Sequence, residues 1–211
     1  SDNGQTWSIT SLTVNGASQT TTSAASIAAG SLGLWQRETN SLSKRLGDLR
    51  NNLEAAGEWG RVYRGNQTTA GVSQQYTAFQ WGWDTRHAAD GGVWFSGWSV
   101  GYLNGDASFE RGSGSSSSLT AGAYQTWLGD KGHYLDLVAK VGRLRSSYDN
   151  YLNDTTNTKV NGSYSQWGSS LSAEYGYRKQ LNNHWYLEPQ AEVAVGRITG
   201  ADYAASDNTQ I

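Results

Sequence analysis

The chain has 211 residues and a formal net charge of -2, with 26 Gly, 10 Trp and 12 Tyr against one Pro and neither Cys nor Met. That excludes a disulfide scaffold and a thiolate metal site, and it leaves no basic face for nucleic acid. No run of about 18 apolar residues exists to form a transmembrane helix, so a membrane role requires strands, which abundant Gly and aromatics with scarce Pro suit. Without a Met or a charged, apolar leader, the chain is expected to be processed or a fragment.

In chain order, residues 1–30 are rich in Thr, Ser and Ala and read as a linker or the end of a preceding segment, with one short alternating strand at 7–14. Over 31–53 the period changes. Trp35, Leu42, Leu46, Leu49 and Leu53 recur at helical spacing, while Arg37, Lys44, Arg45 and Arg50, relieved by Glu38 and Asp48, take other positions. An amphipathic helix is expected there. Gly47 inside it costs about 1 kcal/mol relative to Ala, so the helix calls for an enclosing partner.

From residue 58 the period becomes two, predicting strands at about 58–65, 76–85, 93–104, 118–128, 133–145, 163–179 and 185–199. Trp94, Trp98, Val100 and Tyr102 share one face, opposite Gly97, Ser99 and Gly101. Likewise Leu135, Leu137, Ala139 and Val141 oppose Asp136, Val138, Lys140 and Gly142. One apolar face backed by Gly, Ser and charge is the pattern of a wall with lipid outside and water inside. Several segments reach the roughly 9–11 residues that a tilted membrane strand needs. Trp59, Trp81, Trp83, Trp94, Trp98, Trp127, Trp185 and Tyr186 are candidates for the aromatic belts at the headgroups. A soluble β-sandwich would look locally alike, but it rarely sets so many Trp on alternating positions. Pro189 falls within the last segment and would demand a bulge.

Short connections are expected at 87–92, 129–132 and 182–184, and long polar loops at 66–75, 105–117 and 146–162. Outer-membrane barrels keep short turns in the periplasm and long loops outside, so the first strand rises outward and the helix ends in the periplasm. Asp84, Asp136, Glu174, Glu188 and Glu192 are lumenal candidates that would sheathe a basic helix. The alternative is a helix lying free on the periplasmic side.

The run from Trp35 to Arg50, followed by Gly57-Glu-Trp-Gly-Arg-Val-Tyr63, resembles the linker helix and first strand of autotransporter (type V secretion) translocators. So do Gly101-Tyr-Leu-Asn-Gly105, Gly122-Ala-Tyr-Gln-Thr-Trp-Leu-Gly129, Tyr134-Leu-Asp-Leu-Val138, Glu174-Tyr-Gly-Tyr177 and Glu188-Pro-Gln-Ala-Glu192. The resemblance implies an all-β transmembrane antiparallel barrel, twelve-stranded in the family, with about seven strands here and the helix threaded through the lumen. Residues 1–30 are then the passenger end, 31–53 the pore helix and 54–211 a partial barrel. It implies a Gram-negative outer-membrane translocator that exports its own N-terminal passenger to the cell surface. Its partners would be outer-membrane lipids and lipopolysaccharide, the barrel assembly machinery and periplasmic chaperones. No cofactor and no nucleic acid are implied. Family members continue past the equivalent of Ile211, so an incomplete translocator is expected. The competing reading is a porin or an adhesin-type barrel acting through surface loops.

No hydrolytic constellation emerges. His87, His133 and His184 lie in or beside short turns without metal-ligand spacing, and Gly112-Ser-Gly-Ser lacks the Lys of a phosphate loop. In serine-protease autotransporters of enteric bacteria, the matching helix cuts itself when an Asn side chain attacks its own carbonyl. The position here is Asn40-Ser41, so self-cleavage is a candidate reaction and enzymatic turnover is not expected.

Overall fold

A computed structural model describes residues 19–52, 54, 56–69, 71–182 and 185–209. The side chains of Arg37, Thr39, Asn40, Ser41, Ser43 and Thr69 lie outside the described set. The candidate strand at 7–14 and His184 also fall outside it.

Helix α1 runs Gln19–Asn51, about 50 Å at 1.5 Å per residue. It begins well before the expected position 31. The inward stripe continues upstream through Thr20, Ala24, Ile27 and Ser31, all buried, but it is made of small and polar residues that carry little hydrophobic period. Packing explains the extension: Ala24 and Ile27 join Val72, Ala107 and Tyr148 in one cluster.

The strands are β1 Glu58–Thr69, β2 Val72–Ala89, β3 Gly92–Phe109, β4 Gly112–Gly129, β5 His133–Tyr151, β6 Lys159–Tyr177, β7 Lys179–Gln180, β8 Tyr186–Leu187 and β9 Gln190–Ile198. Seven form one antiparallel sheet in the order β1-β2-β3-β4-β5-β6-β9, and β7 and β8 make a separate small hairpin. The sheet curls about α1, which touches β1, β2, β4, β5 and β6. Strands β1 to β6 are longer than the expected segments, whereas the strand expected at 185–199 divides into β8, in the small hairpin, and the shorter β9. The loops predicted at 66–75 and 105–117 contract to the short links between β1 and β2 and between β3 and β4, and that at 146–162 to 152–158. The Ser-, Gly- and Asn-rich flanks have low strand propensity alone. Cross-strand pairing overrides it, with 113–117 registered on 145–149 and Ser115 Oγ 2.9 Å from Ser147 Oγ. The asymmetry between the two ends lies less in loop length than in how far paired strands overshoot.

Register divides the outer face into two zones. The row His87–Trp94–Trp127–Leu135–Tyr175 lies near the turns at 90–91 and 130–132. Further along come Trp83–Trp98–Ala123–Ala139–Leu171–Val195 and then Phe79–Tyr102–Leu119–Arg143–Trp167. The next rows turn polar: Thr77–Asn104–Ser117–Arg145–Ser165, then Gln75–Asp106–Ser115–Ser147–Ser163. The apolar band therefore spans residues 94–102 of β3, about the strand length that crosses hydrocarbon. Beyond it each hairpin continues as a polar, paired extension.

The distribution is inside-out. Val62, Leu119, Leu171 and Val193 are exposed on the outer face, whereas Gln80, Asp84, Thr126, Asp136 and Lys140 are buried on the inner one. A sandwich would pack its apolar face against a second sheet; here a single sheet shows that face outward and wraps a helix.

Three expectations require correction. Trp59 turns inward, its Nε1 donating to Tyr124 Oη at 2.9 Å, so it is not a belt residue. Trp185 sits exposed in the β7–β8 connection instead of on the main sheet. Trp81, Trp83, Trp94, Trp98 and Trp127 do share the outer face, with Trp81 and Trp98 edge to face at 5.0 Å. Pro189 needs no bulge, because β9 starts at Gln190 and the Pro189 carbonyl accepts from Tyr177 N at 3.1 Å. In the 152–158 loop, hydrogen bonds from the Thr158 side chain and amide, and then from those of Thr156, hold the Asp154 carboxyl down to about 2.

Candidate functional site: a helix held inside a polar wall

Three levels of contact pin α1 to the sheet. At the end near the polar extensions, Gln19 Oε1 accepts from Asn153 N at 2.6 Å and Thr20 Oγ1 donates to Asp207 at 2.8 Å. Below them Ser31 Oγ lies 2.7 Å from Ser146 Oγ, and Gln67 Nε2 donates to the Gly30 carbonyl at 3.1 Å.

At mid-height Glu38 is 1% exposed and accepts from Ser118 Oγ at 2.6 Å. Lys140 Nζ lies 5.1 Å from the centre of the Trp35 ring. Trp35 presses flat where β5 and β6 carry Gly142 and Gly168. A Cβ on either glycine would stand 2.9–3.0 Å from the ring, so the indole fits only because both side chains are missing.

The lowest level carries the charge. Arg45 grips Asp84 bidentately, Nε and Nη2 each at 2.8 Å, with Asp84 1% exposed. Asp84 also accepts from Tyr124 Oη at 2.6 Å and from Gly57 N at 3.1 Å. Gly57 has φ 132, and its carbonyl accepts from Asp84 N at 3.0 Å, so this one residue clamps the helix-to-strand junction onto β2. Arg50 Nη1 lies 3.1 Å from Asp136 and 3.2 Å from Glu174, with its guanidinium 4.1 Å over the Tyr134 ring. Asp48 pairs with Arg61 of β1 at 2.9 Å.

Among the candidate residues, Glu38, Arg45, Asp48 and Arg50 of the helix meet the wall, and Asp84, Asp136 and Glu174 face them. Lys44 is exposed. Glu188 instead pairs with Arg178 at 2.6 Å, and that arginine also reaches Asn51 Oδ1 at 3.0 Å. Glu192 is exposed, across the ladder from Glu174. Asn40 and Ser41 belong to the helix, but the side chains that would react lie outside the described set. Near the turns, His133 Nδ1 is 2.7 Å from Tyr175 Oη and its ring stacks on Tyr177, while His87 pairs with Trp94.

Reading residues one strand at a time missed Tyr124, Ser118, Lys140 and the seat of Trp35. A signal for the aromatics exists only across strands, where an inward ring repeatedly faces a glycine: Trp59 with Gly82, Tyr76 with Gly65, Tyr124 with Gly97, Tyr134 with Gly176, and Tyr148 with Gly162. At Gly97 a Cβ would collide with the Tyr124 ring and move it off Asp84. Gly97→Val is therefore expected to lower stability by about 1–3 kcal/mol. Gly60→Ala, whose nearest neighbour would be 3.8 Å away, should change it by only a few tenths. Urea titration of the inserted barrel compares the two.

The autotransporter β-domain family matches residues 53–211, from the end of the helix onward. The chain belongs to that family. Relatives of this autotransporter β-domain include the pertactin autotransporter of Bordetella parapertussis, 37% identical over 184 residues that make up 84% of this chain and 20% of that protein. The BrkA autotransporter of Bordetella pertussis is 34% identical over 180 residues, 82% of this chain and 18% of that protein. Serine protease EspP of Escherichia coli is 33% identical over 207 residues, 98% and 16% respectively. The crystal structure of the β domain of the Bordetella autotransporter BrkA superposes with a TM-score of 0.66 at 33% identity, covering 75% of this chain and 64% of that one. The chain thus spans a fifth or less of the curated relatives it matches.

This autotransporter β-domain is an outer-membrane translocator of Gram-negative bacteria, and its seven-stranded antiparallel sheet around one helix is part of that family's barrel. A porin, or an adhesin-type barrel working through its loops, is not favoured.

Proposed function

We propose that this domain exports its own passenger to the cell surface, with α1 as the segment of chain left spanning the pore. The observation that carries the reading is the buried Arg45–Asp84 pair, a helix cation fixed on the inner face of a sheet whose outer face is apolar. The polar strand extensions and the Gln19 end of α1 point to the cell exterior, and the turns at 90–91 and 130–132 to the periplasm. Passenger lying before residue 19 would then emerge outside. The same reading takes outer-membrane lipids and lipopolysaccharide as surroundings, and the barrel assembly machinery and periplasmic chaperones as partners in insertion. Strands beyond the described sheet close the barrel, since an open edge in hydrocarbon leaves unpaired backbone groups.

Single-channel conductance of the parent protein in planar bilayers tests the plug. Deleting residues 19–51 should raise conductance severalfold while the barrel keeps its heat-modifiable gel migration, and unchanged conductance would defeat the proposal. Self-cleavage is a separate side reaction in this scheme. The Asn40 amide nitrogen would close on its own carbonyl carbon, breaking the bond to Ser41 and releasing the Ser41 amine. Asn40→Ala should leave export unchanged and remove any barrel fragment beginning at Ser41 from the mass spectrum.

A further inference from the structure

We propose that Arg143 and Arg145, with the recess and groove beside them, bind the phosphorylated headgroup and one acyl chain of a lipid in the outward leaflet. The site rests on the membrane orientation given above. Arg143 belongs to the last apolar row, between Leu119 and Trp167, and Arg145 to the first polar row, between Ser117 and Ser165. Both guanidinium groups therefore stand where hydrocarbon gives way to headgroups, the depth at which lipid phosphates lie.

The surroundings fit an anion. Arg143 and Arg145 are exposed, and among the described residues neither forms an ion pair; Arg143 Nη2 reaches only Ser165 Oγ, at 3.3 Å. The nearest carboxylate further along β5 on this face, Asp149, is engaged with Lys159 at 3.0 Å. A recess around Arg145 is lined by the hydroxyls of Ser115, Ser117, Ser147, Ser163 and Ser165. Hydroxyl donors around a guanidinium match the oxygens of a phosphate group.

On the membrane side of the arginines the outer face is hollowed. Ala121, Ala139, Ser169 and Val195 line a groove that Arg197 also borders. Val141 and Leu171 also line it, so an apolar floor with small residues at its centre lies open to the hydrocarbon. One row, Leu119–Arg143–Trp167, separates headgroup recess from tail groove, so Arg143 stands between them with Trp167 beside it as an apolar shoulder. Arg64 lies in the same row as Arg145, on β1 next to Thr77, outside that hydroxyl recess.

Native mass spectrometry of the parent protein released from nanodiscs tests the site with three probes: phosphorylated lipopolysaccharide, the same lipid after phosphatase treatment, and inorganic phosphate alone. The wild type should retain the phosphorylated lipid and lose it on dephosphorylation. Arg143→Gln with Arg145→Gln should reduce retention about thirtyfold, at roughly 1 kcal/mol per arginine near a charged membrane surface. Arg64→Gln should have no effect, and Arg145→Gln alone about fivefold, which serves if the double variant inserts poorly. Equal retention by wild type and double variant, equal retention of the dephosphorylated lipid, or inorganic phosphate held as tightly as the lipid would each overturn the site. Heat-modifiable migration, recorded on every variant, reports separately on insertion, so a barrel that inserts without retaining lipid rejects this site and leaves the translocator reading standing.

Discussion

Asp84→Ala is expected to lower the stability of the inserted barrel by about 3–5 kcal/mol, far more than the loss of one contact. The carboxylate holds the Arg45 guanidinium bidentately, accepts from Tyr124 and Gly57 N, and is itself 1% exposed. Removing it strands a cation and two donors against the wall. By comparison, the exposed pair Arg86–Glu54 at 3.1 Å should be worth at most about 1 kcal/mol. Adding Arg45→Met to Asp84→Ala should restore part of the loss, because the stranded charge is then gone. The midpoint of denaturant unfolding across this double-mutant cycle gives the coupling directly. Additive losses would mean that the pair does not tie α1 to β2.

Leu171→Arg is expected to cost about 2–4 kcal/mol, whereas Ser147→Arg should stay within about 0.5 kcal/mol of wild type. Both side chains are exposed on the same outer face, Leu171 at 59%. They differ only in height: Leu171 lies in the row through Trp98 at the centre of the apolar band, and Ser147 two rows past its upper edge. In water both substitutions would be nearly neutral, so unequal effects are a measure of lipid contact. Equal effects, read from refolding equilibria in bilayers, would refute a membrane band bounded by the rows through Trp94 and Tyr102.

Much of this architecture was legible in the sequence, because the alternation of apolar and polar residues is a local property of each strand. The faces of β3 and β5 and the pairing of a basic helix with Asp84 and Asp136 follow from it. Where local signals mislead, pairing is the reason. The serines at 113–117 look like loop until 145–149 lies beside them. Trp59 looks like a belt residue until the missing side chain of Gly82 lets its ring turn inward. Ala24, Ile27 and Ser31 extend the helix upstream with side chains too small or too polar to mark a hydrophobic stripe. Tyr124 meets Asp84 two strands away, and the Trp35 seat joins Gly142 and Gly168 of paired strands, so no single window contains either.

The attachments of α1 also set a constraint on construction. They are met in the order in which the strands leave the chain: Arg45 on β2, Glu38 on β4, then Arg50 across β5 and β6. A finished cylinder could admit this rod only by dragging bare charges past a lining of tyrosines and glycines. Laying successive hairpins around a rod already present meets no such obstacle, and each addition locks the one before. On this geometry the helix is most easily enclosed before the last hairpins close around it.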